Sequence, residues 1–253
     1  MLLKRIIPCL LIKDGGLIKT TKFKESTYVG DPINAVKILS EKESDEILIL
    51  DIEATKKKKI NYELLSNIFG ECFVPITYGG GISTLDQAKK IINLGAEKIC
   101  IQQEAFKNKN FISELSKKFG SQSVVLSIDI KKNIFGKYKF WNYLNNEYYK
   151  IDNIYKFIAE SIELGIGEIL INDVDRDGTL KGSNKELIKE FGKNINIPTI
   201  FCGGINSISD IKSSFDAGAK AISAGSFFVF YGPKKAVLIS YPSEEIKEIL
   251  NEK

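Results

Sequence analysis

Glu46-Ile47-Leu48-Ile49 returns later in the chain as Glu168-Ile169-Leu170-Ile171, and two further stretches return behind it in the same order. Gly80-Gly81-Ile82-Ser83 comes back as Gly203-Gly204-Ile205-Asn206. Leu94-Gly95-Ala96-Glu97-Lys98-Ile99 comes back as Ala217-Gly218-Ala219-Lys220-Ala221-Ile222. The offset holds at about 122 residues, near half of the 253-residue chain, so one unit is written twice. Around these anchors, strand-like runs at 5–11, 46–51, 75–78, 98–101, 124–129, 168–173, 198–202 and 221–224 alternate with helical ones, among them 33–40, 85–94, 155–164 and 208–217. Most of the strand runs are continuously apolar, as parallel strands buried on both faces require. Four strands per half, with no linker-like segment, predict a single (β/α)8 TIM barrel built from two homologous half-barrels and spanning 1–253 as one domain.

Two longer connections interrupt the alternation. The glycine- and lysine-rich segment 14–31 is read as a mobile lid over the top of the barrel, and the segment 135–149, rich in Tyr, Phe and Asn, as a small hairpin whose aromatics pack locally.

At 43% hydrophobic and 27% charged the chain has ample material for a core. Its net charge of +4 is small, and its lysines are read as scattered among acids, so nucleic-acid binding is not expected. No apolar run reaches the roughly 18 residues of a membrane span. The run 6–12 lies between Arg5 and Lys13 without a cleavage pattern, so the expectation is a cytoplasmic protein with no membrane association. Cys9, Cys72, Cys100 and Cys202 form no CxxC and read as reduced thiols, three of them in strands. The chain has no histidine, which excludes His triads and His metal sites. No metal and no cofactor is expected, and chemistry is left to carboxylates, lysines and backbone dipoles.

In such a barrel the strand C-termini and their loops form the active face. Gly79-Gly80-Gly81 follows the third strand and Gly203-Gly204 the seventh. Asp177-Gly178-Thr179 and Ala224-Gly225-Ser226 complete a similar nest in the second half. Paired glycine turns let backbone N–H groups approach an anion, so phosphate binding is expected there. Asp51, Asp129 and Asp173 end strands, where a carboxylate either caps the next loop or serves the chemistry; Asp129 is the best candidate for a general acid or base. Aligning the halves sets Cys9-Leu10-Leu11-Ile12-Lys13 against Ser127-Ile128-Asp129-Ile130-Lys131, so Leu11 stands where a second carboxylate would be. Lys19, in the lid, is a candidate contact for an anionic substrate. Arg5, Glu46, Lys98 and Glu168 begin four strands and should ring the base, which by itself reads as a salt-bridge layer.

Over essentially its whole length the chain resembles the HisF family, the cyclase subunit of imidazole glycerol phosphate synthase. The resemblance rests on Lys4-Arg5-Ile6-Ile7, Gly30-Asp31-Pro32, Leu50-Asp51-Ile52, Gly79-Gly80-Gly81-Ile82, Phe119-Gly120-Ser121-Gln122-Ser123-Val124, Gly167-Glu168-Ile169-Leu170 and Asp175-Arg176-Asp177-Gly178-Thr179. It implies a phosphate-anchored barrel that takes ammonia from a HisH-like glutaminase docked at its base, where Glu97 matches an acidic docking position. It also makes Arg5, Glu46, Lys98 and Glu168 the ammonia gate. Phosphate contacts are implied at Gly80, Gly81, Gln103, Asp177, Gly178, Gly203, Gly204, Gly225 and Ser226, and catalysis at Asp129 with Lys19.

Three positions depart from the family. Leu11 replaces one of its two catalytic aspartates, Gln102-Gln103 replaces an Asn-Thr pair at one phosphate, and Asn172-Asp173 replaces a hydroxyl-bearing pair. A leucine transfers no proton, and loss of a general acid or base typically costs about 10²–10⁴ in rate. A HisF-like branch of the WbuZ type, associated with glycosyl amidation in surface-polysaccharide synthesis, is more similar still. It shares Cys9-Leu10-Leu11-Ile12, Gly15-Gly16-Leu17-Ile18-Lys19-Thr20, Tyr28-Val29-Gly30-Asp31-Pro32-Ile33-Asn34-Ala35 and the stretch 228–242. That resemblance implies ammonia channelled to a separate sugar amidotransferase acting on a small phosphorylated or nucleotide-sugar ligand. The alternative is a working cyclase in histidine biosynthesis.

Overall fold

Eight parallel strands pair in sequence order and the last closes on the first, with Arg5 opposite Ala221 and Pro8 opposite Ala224. They are β1 (Arg5–Lys13), β2 (Ile47–Asp51), β3 (Ile76–Gly79), β4 (Lys98–Ile101), β5 (Val124–Lys132), β6 (Glu168–Asp173), β7 (Thr199–Cys202) and β8 (Ala221–Ala224). The computed structural model describes residues 4–251. Among the described residues eight helices of nine or ten residues surround the barrel: α1 (Pro32–Glu41), α2 (Tyr62–Gly70), α3 (Leu85–Leu94), α4 (Asn110–Phe119), α5 (Ile154–Glu163), α6 (Lys185–Asn194), α7 (Ile208–Asp216) and α8 (Ser243–Asn251); two short ones, Ala54–Lys57 and Gln103–Lys107, lie in the loops after β2 and β4.

Local chemistry marks where helices begin. Asp31, Asn61, Thr84, Asn153, Asn184 and Ser207 each accept a hydrogen bond from an N–H of the first helical turn, and Thr84 with Gln87 forms a capping box. Alternation along the strands divides the apolar residues into two cores. On β1, Ile6, Leu10 and Ile12 face outward into the large core under the helices. Ile7 and Cys9 face inward with Leu48, Cys100, Val125, Leu170, Ile200 and Ala221, and so fill the barrel's own lumen.

The two long connections prove to be one feature repeated. β1 runs past the barrel to Lys13 and turns back antiparallel as Gly16–Thr20, with Leu11 opposite Ile18. β5 runs on to Lys132 and turns back as Tyr138–Asn142, with Ile130 opposite Phe140. The segment read as a mobile lid is thus mostly strand, and it obeys the twofold repeat instead of interrupting it.

Both hairpins reach over the mouth to a loop of the other half. Thr20 Oγ1 donates to Asp177 Oδ2 at 2.8 Å, and the Lys22 N–H donates to the Asp177 carbonyl at 3.0 Å. Gly178 lies so close to the Thr20 carbonyl that no Cβ would fit between them. On the other side, the Tyr143 hydroxyl comes near Thr55, in the short helix after β2.

The aromatics of the second hairpin pack partly against one another, as Trp141 does on Tyr148, and partly against rings outside it. Phe106 stacks on Tyr149 at 4.1 Å and on Phe157 at 4.6 Å, while buried Phe140 meets both Phe106 and Phe157 edge-on at 5.3 Å. Phe140→Ala should therefore destabilise the protein by about 3–5 kcal/mol, read as a lowered urea midpoint at unchanged slope. A loss near zero would mean that this hairpin packs independently of the barrel.

Candidate functional site

At the base, four inward-facing charges from β1, β4, β6 and the residue before β2 close a ring. Arg5 Nη1 donates to Glu46 Oε2 at 2.8 Å and Arg5 Nη2 to Glu168 Oε1. Lys98 Nζ donates to Glu46 Oε2 at 3.0 Å and to Glu168 Oε2 at 2.9 Å. Thr77 Oγ1 adds a bond to the remaining Glu46 oxygen. Burial pushes the Glu168 carboxyl up, but the Arg5 hydrogen bond and the Lys98 and Arg5 charges outweigh it and hold the group below its ordinary value. Burial also works against the charges of Arg5 and Lys98, and the two glutamates again win, raising both. Arg5, Lys98 and Glu168 are therefore charged throughout the neutral range. Exposed Glu97 precedes Lys98, and Phe73, 81% exposed, sits on the turn entering β3 at the same end.

At the opposite end the lumen opens into a cavity of about 590 Å³ walled by loops of both halves. Its floor is chemically lopsided. Asp129, ending the barrel portion of β5, accepts hydrogen bonds from Gln102 Nε2 at 2.7 Å and Asn172 Nδ2 at 2.8 Å. Leu11, at the related place on β1, packs with Leu50 and Cys202 in the lumen core. One side of the floor thus carries a carboxyl held by two amides, and the other is apolar. Asp51 and Asp173 turn to their loops: Asp51 accepts from the Glu53 and Ala54 N–H groups, Asp173 from the Asp175 N–H and from Asn184. For these two the capping alternative describes the geometry.

Gly80 and Gly203 occupy related positions with φ of +136° and +123°. A Cβ would lie 2.5 Å from the Asp51 carbonyl oxygen in one case and 2.8 Å from the Asp173 carbonyl oxygen in the other. Close strand packing alone thus requires glycine at both.

The two nests differ in what they leave available. In the first, the Gly81 N–H already donates to Thr55 Oγ1 at 3.1 Å. Gln103 is tied to the second hairpin, near Asn142 and accepting from the Tyr149 hydroxyl at 2.9 Å. In the second, the Gly204 carbonyl accepts from the Gly182 N–H at 2.8 Å, and the Gly204 N–H meets no acceptor among the described residues. Gly225 and Ser226 line the same cavity.

Lys19 is buried, although a loop lysine of this kind would ordinarily be solvated. Its Nζ donates to the Cys9 carbonyl and stands 2.6 Å from where a Gly225 Cβ would be. Burial pulls its ammonium below the ordinary value, outweighing the nearby Asp177 carboxylate and the Cys9–Cys202 thiol pair. Asp177 is occupied by Thr20 and by the Phe23 N–H at 3.2 Å, so it anchors the first hairpin as well as lining the cavity. Among the described residues no three His, Cys, Asp or Glu side chains converge on a metal position.

Lysines at the rim escaped the sequence reading. Lys24, Lys56, Lys58 and Lys107 line the mouth, and the run Lys56-Lys57-Lys58-Lys59 departs from the scattered pattern expected of this chain's lysines. That run was the available signal.

Burial pushes the Asp129 carboxyl up to about 6, against the Gln102 and Asn172 hydrogen bonds that hold it down. The folded protein then binds this proton more tightly than the unfolded chain. Asp129 therefore contributes stability that is fully present below its ordinary value of 3.8 and is lost as pH rises through about 6. Asp129→Asn should remove that fall. The difference in unfolding free energy between variant and parent should drift in the variant's favour, by on the order of 2–3 kcal/mol, between pH 4 and pH 7. Parallel stability curves for the two proteins would show that the carboxyl is not raised.

With this geometry in view, similarity to known proteins takes on meaning. The sequence profile of the family described as "Histidine biosynthesis protein" matches residues 5–233. The chain is 47% identical, over 96% of its length and 97% of the relative's, to a Pseudomonas aeruginosa protein named "Putative imidazole glycerol phosphate synthase subunit hisF2". It is 43% identical to a Leptospira interrogans protein named "Putative imidazole glycerol phosphate synthase subunit HisF", covering 99% of each. It is 35% identical to the "Imidazole glycerol phosphate synthase subunit HisF" of Alkaliphilus metalliredigens, over 90% of this chain and 91% of that one.

Proposed function

The chain belongs to the HisF family of the histidine biosynthesis proteins, and we propose that it conducts ammonia instead of cyclising a substrate. In this reading a HisH-like glutaminase docks at the base, around Phe73 and Glu97. Ammonia passes the ring of Arg5, Glu46, Lys98 and Glu168, rises through the lumen, and is delivered to a separate amidotransferase acting on a nucleotide sugar in surface-polysaccharide synthesis.

The ring carries the proposal. Alternating charges satisfy one another when the ring is closed, and a shift of the Lys98 side chain opens a path while Arg5 still bridges both glutamates. A stopper meant only to stabilise the base would serve better if it were apolar, because buried ion pairs often break even or lose against hydrophobic packing. Above the ring the side chains of the lumen are apolar, which suits a small neutral molecule. Asp129 at its top offers an acceptor to arriving N–H groups.

Retained Asp129, Lys19 and Asp177 favour a second reading, a working cyclase of histidine biosynthesis. Leu11 opposes it, since ring closure with two proton transfers then rests on a single carboxyl. With the phosphoribulosyl-formimino precursor and ammonium salts, the isolated protein should show little or no turnover. A rate comparable to that of an authentic cyclase assayed alongside would establish the second reading.

Lys98→Met tests the conduit itself. Glutaminase binding should persist, glutamine-dependent amidation in the reconstituted complex should fall about tenfold or more, and amidation supported by external ammonium should fall less. Equal glutamine-dependent activity of variant and parent, in a complex shown to be intact, would return the four charges to a structural role.

A further inference from the structure

Besides Lys13, which lies 4.0 Å from Glu53, four lysines face the cavity mouth from three loops of the first half-barrel: Lys24 on the segment after β1, Lys56 and Lys58 at the short helix Ala54–Lys57 after β2, and Lys107 ending the short helix Gln103–Lys107 after β4. All four are exposed, and none forms an ion pair among the described residues. The acids beside them are occupied or few. Asp51 accepts two backbone N–H groups and Glu53 pairs with Lys57 at 2.6 Å, which among the described acids lining the mouth leaves Glu104 to face the lysines.

Within the run 56–59 the structure assigns distinct tasks. Lys57 turns away to Asp14 and Glu53 and fastens the turn to the first hairpin. Its neighbours Lys56 and Lys58 turn to the cavity. Lys58 does so from a left-handed backbone, φ +50°, that an L-residue adopts only at a cost.

We infer that this lysine rim is an anion subsite separate from the glycine nests, and that it holds the diphosphate of a nucleoside-diphosphate ligand. Two observations argue for a diphosphate over a single phosphate. The amide groups that would grip one phosphate on this side are already used, Gly81 by Thr55 and Gln103 by Asn142 and Tyr149. What remains is charge spread over three loops, which favours a ligand whose own charge is dense and extended. The cavity, at about 590 Å³, falls within the range of nucleotide-sized sites. A flat acidic protein surface would meet the same lysines less well, since they line a concavity.

This assignment names the ligand class for the cavity in the amidation reading. It is tested by binding alone, so its failure and a failure of ammonia conduction are told apart.

The test is titration calorimetry of the full chain with inorganic pyrophosphate, UDP and inorganic phosphate, at low and at physiological salt. The parent is compared with a Lys56→Ala, Lys58→Ala double variant, whose exposed side chains should leave the thermal unfolding midpoint in place. Pyrophosphate and UDP should bind about tenfold more weakly to the variant, and the difference should shrink as salt screens the rim. Affinity for inorganic phosphate, directed to Gly204, Gly225 and Ser226, should stay within about twofold. Equal pyrophosphate affinity of the two proteins overturns the assignment and leaves the lysines to an acidic protein surface. No measurable pyrophosphate binding by the parent overturns it as well.

Discussion

Closing a parallel sheet on itself drives every second side chain of each strand into a lumen with no outlet except its two ends. The basal ring and the floor of the cavity follow from what occupies those inward positions. Along β1 they read Arg5, Ile7, Cys9 and Leu11: a charge at the base, two apolar layers, and an apolar residue where the related strand carries a carboxyl. Along β6 they read Glu168, Leu170 and Asn172, again a charge below, a hydrocarbon layer and an amide above. Polar groups so placed are held far from water, and each must be satisfied by another inward residue. That is why the base is a closed ring of ion pairs and why Asp129 is gripped by two amides.

Duplication sets the frame and asymmetry supplies the function. Glu46 and Glu168 are copies of one residue in the two halves, so the repeat furnishes the two acids of the ring. The bases do not obey it: Lys98 aligns with Ala221. The upper face shows the same logic. Both halves extend a strand into a hairpin that reaches across the mouth, yet the first is fastened through Asp177 and the second comes near Thr55. Thr55 also takes the Gly81 N–H, a donor whose counterpart in the second nest, at Gly204, meets no acceptor among the described residues.

Much of this was legible in the chain. The three paired stretches foretold the half-barrels, and the strand runs lie within a few residues of the observed ladders. Buried parallel strands must be apolar on both faces, and few other arrangements demand that. The places of the four basal charges, of Asp129 and of Leu11 were also plain, since each holds a fixed position relative to a strand end. The reach of β1 and β5 beyond the barrel was less plain, because Lys13 and Lys132 end runs whose outer pairing partners lie across a turn. A glycine- and lysine-rich composition is shared by loops and by exposed hairpins alike.

The sequence by itself determined the class of fold, the twofold repeat and the list of inward charges, because these depend on periodicity and strand position, which are local. Tertiary structure alone decided which groups are already spent. Asp51 and Asp173 serve their loops, Asp177 anchors a hairpin, the Gly81 N–H belongs to Thr55, and Lys19 is buried against the Cys9 carbonyl. It also separated Lys56 and Lys58, which face the cavity, from Lys57, which does not. Hydrogen bonds and ion pairs form between residues far apart in the chain. Whether a side chain remains free for a ligand therefore depends on neighbours that its own stretch of sequence does not contain.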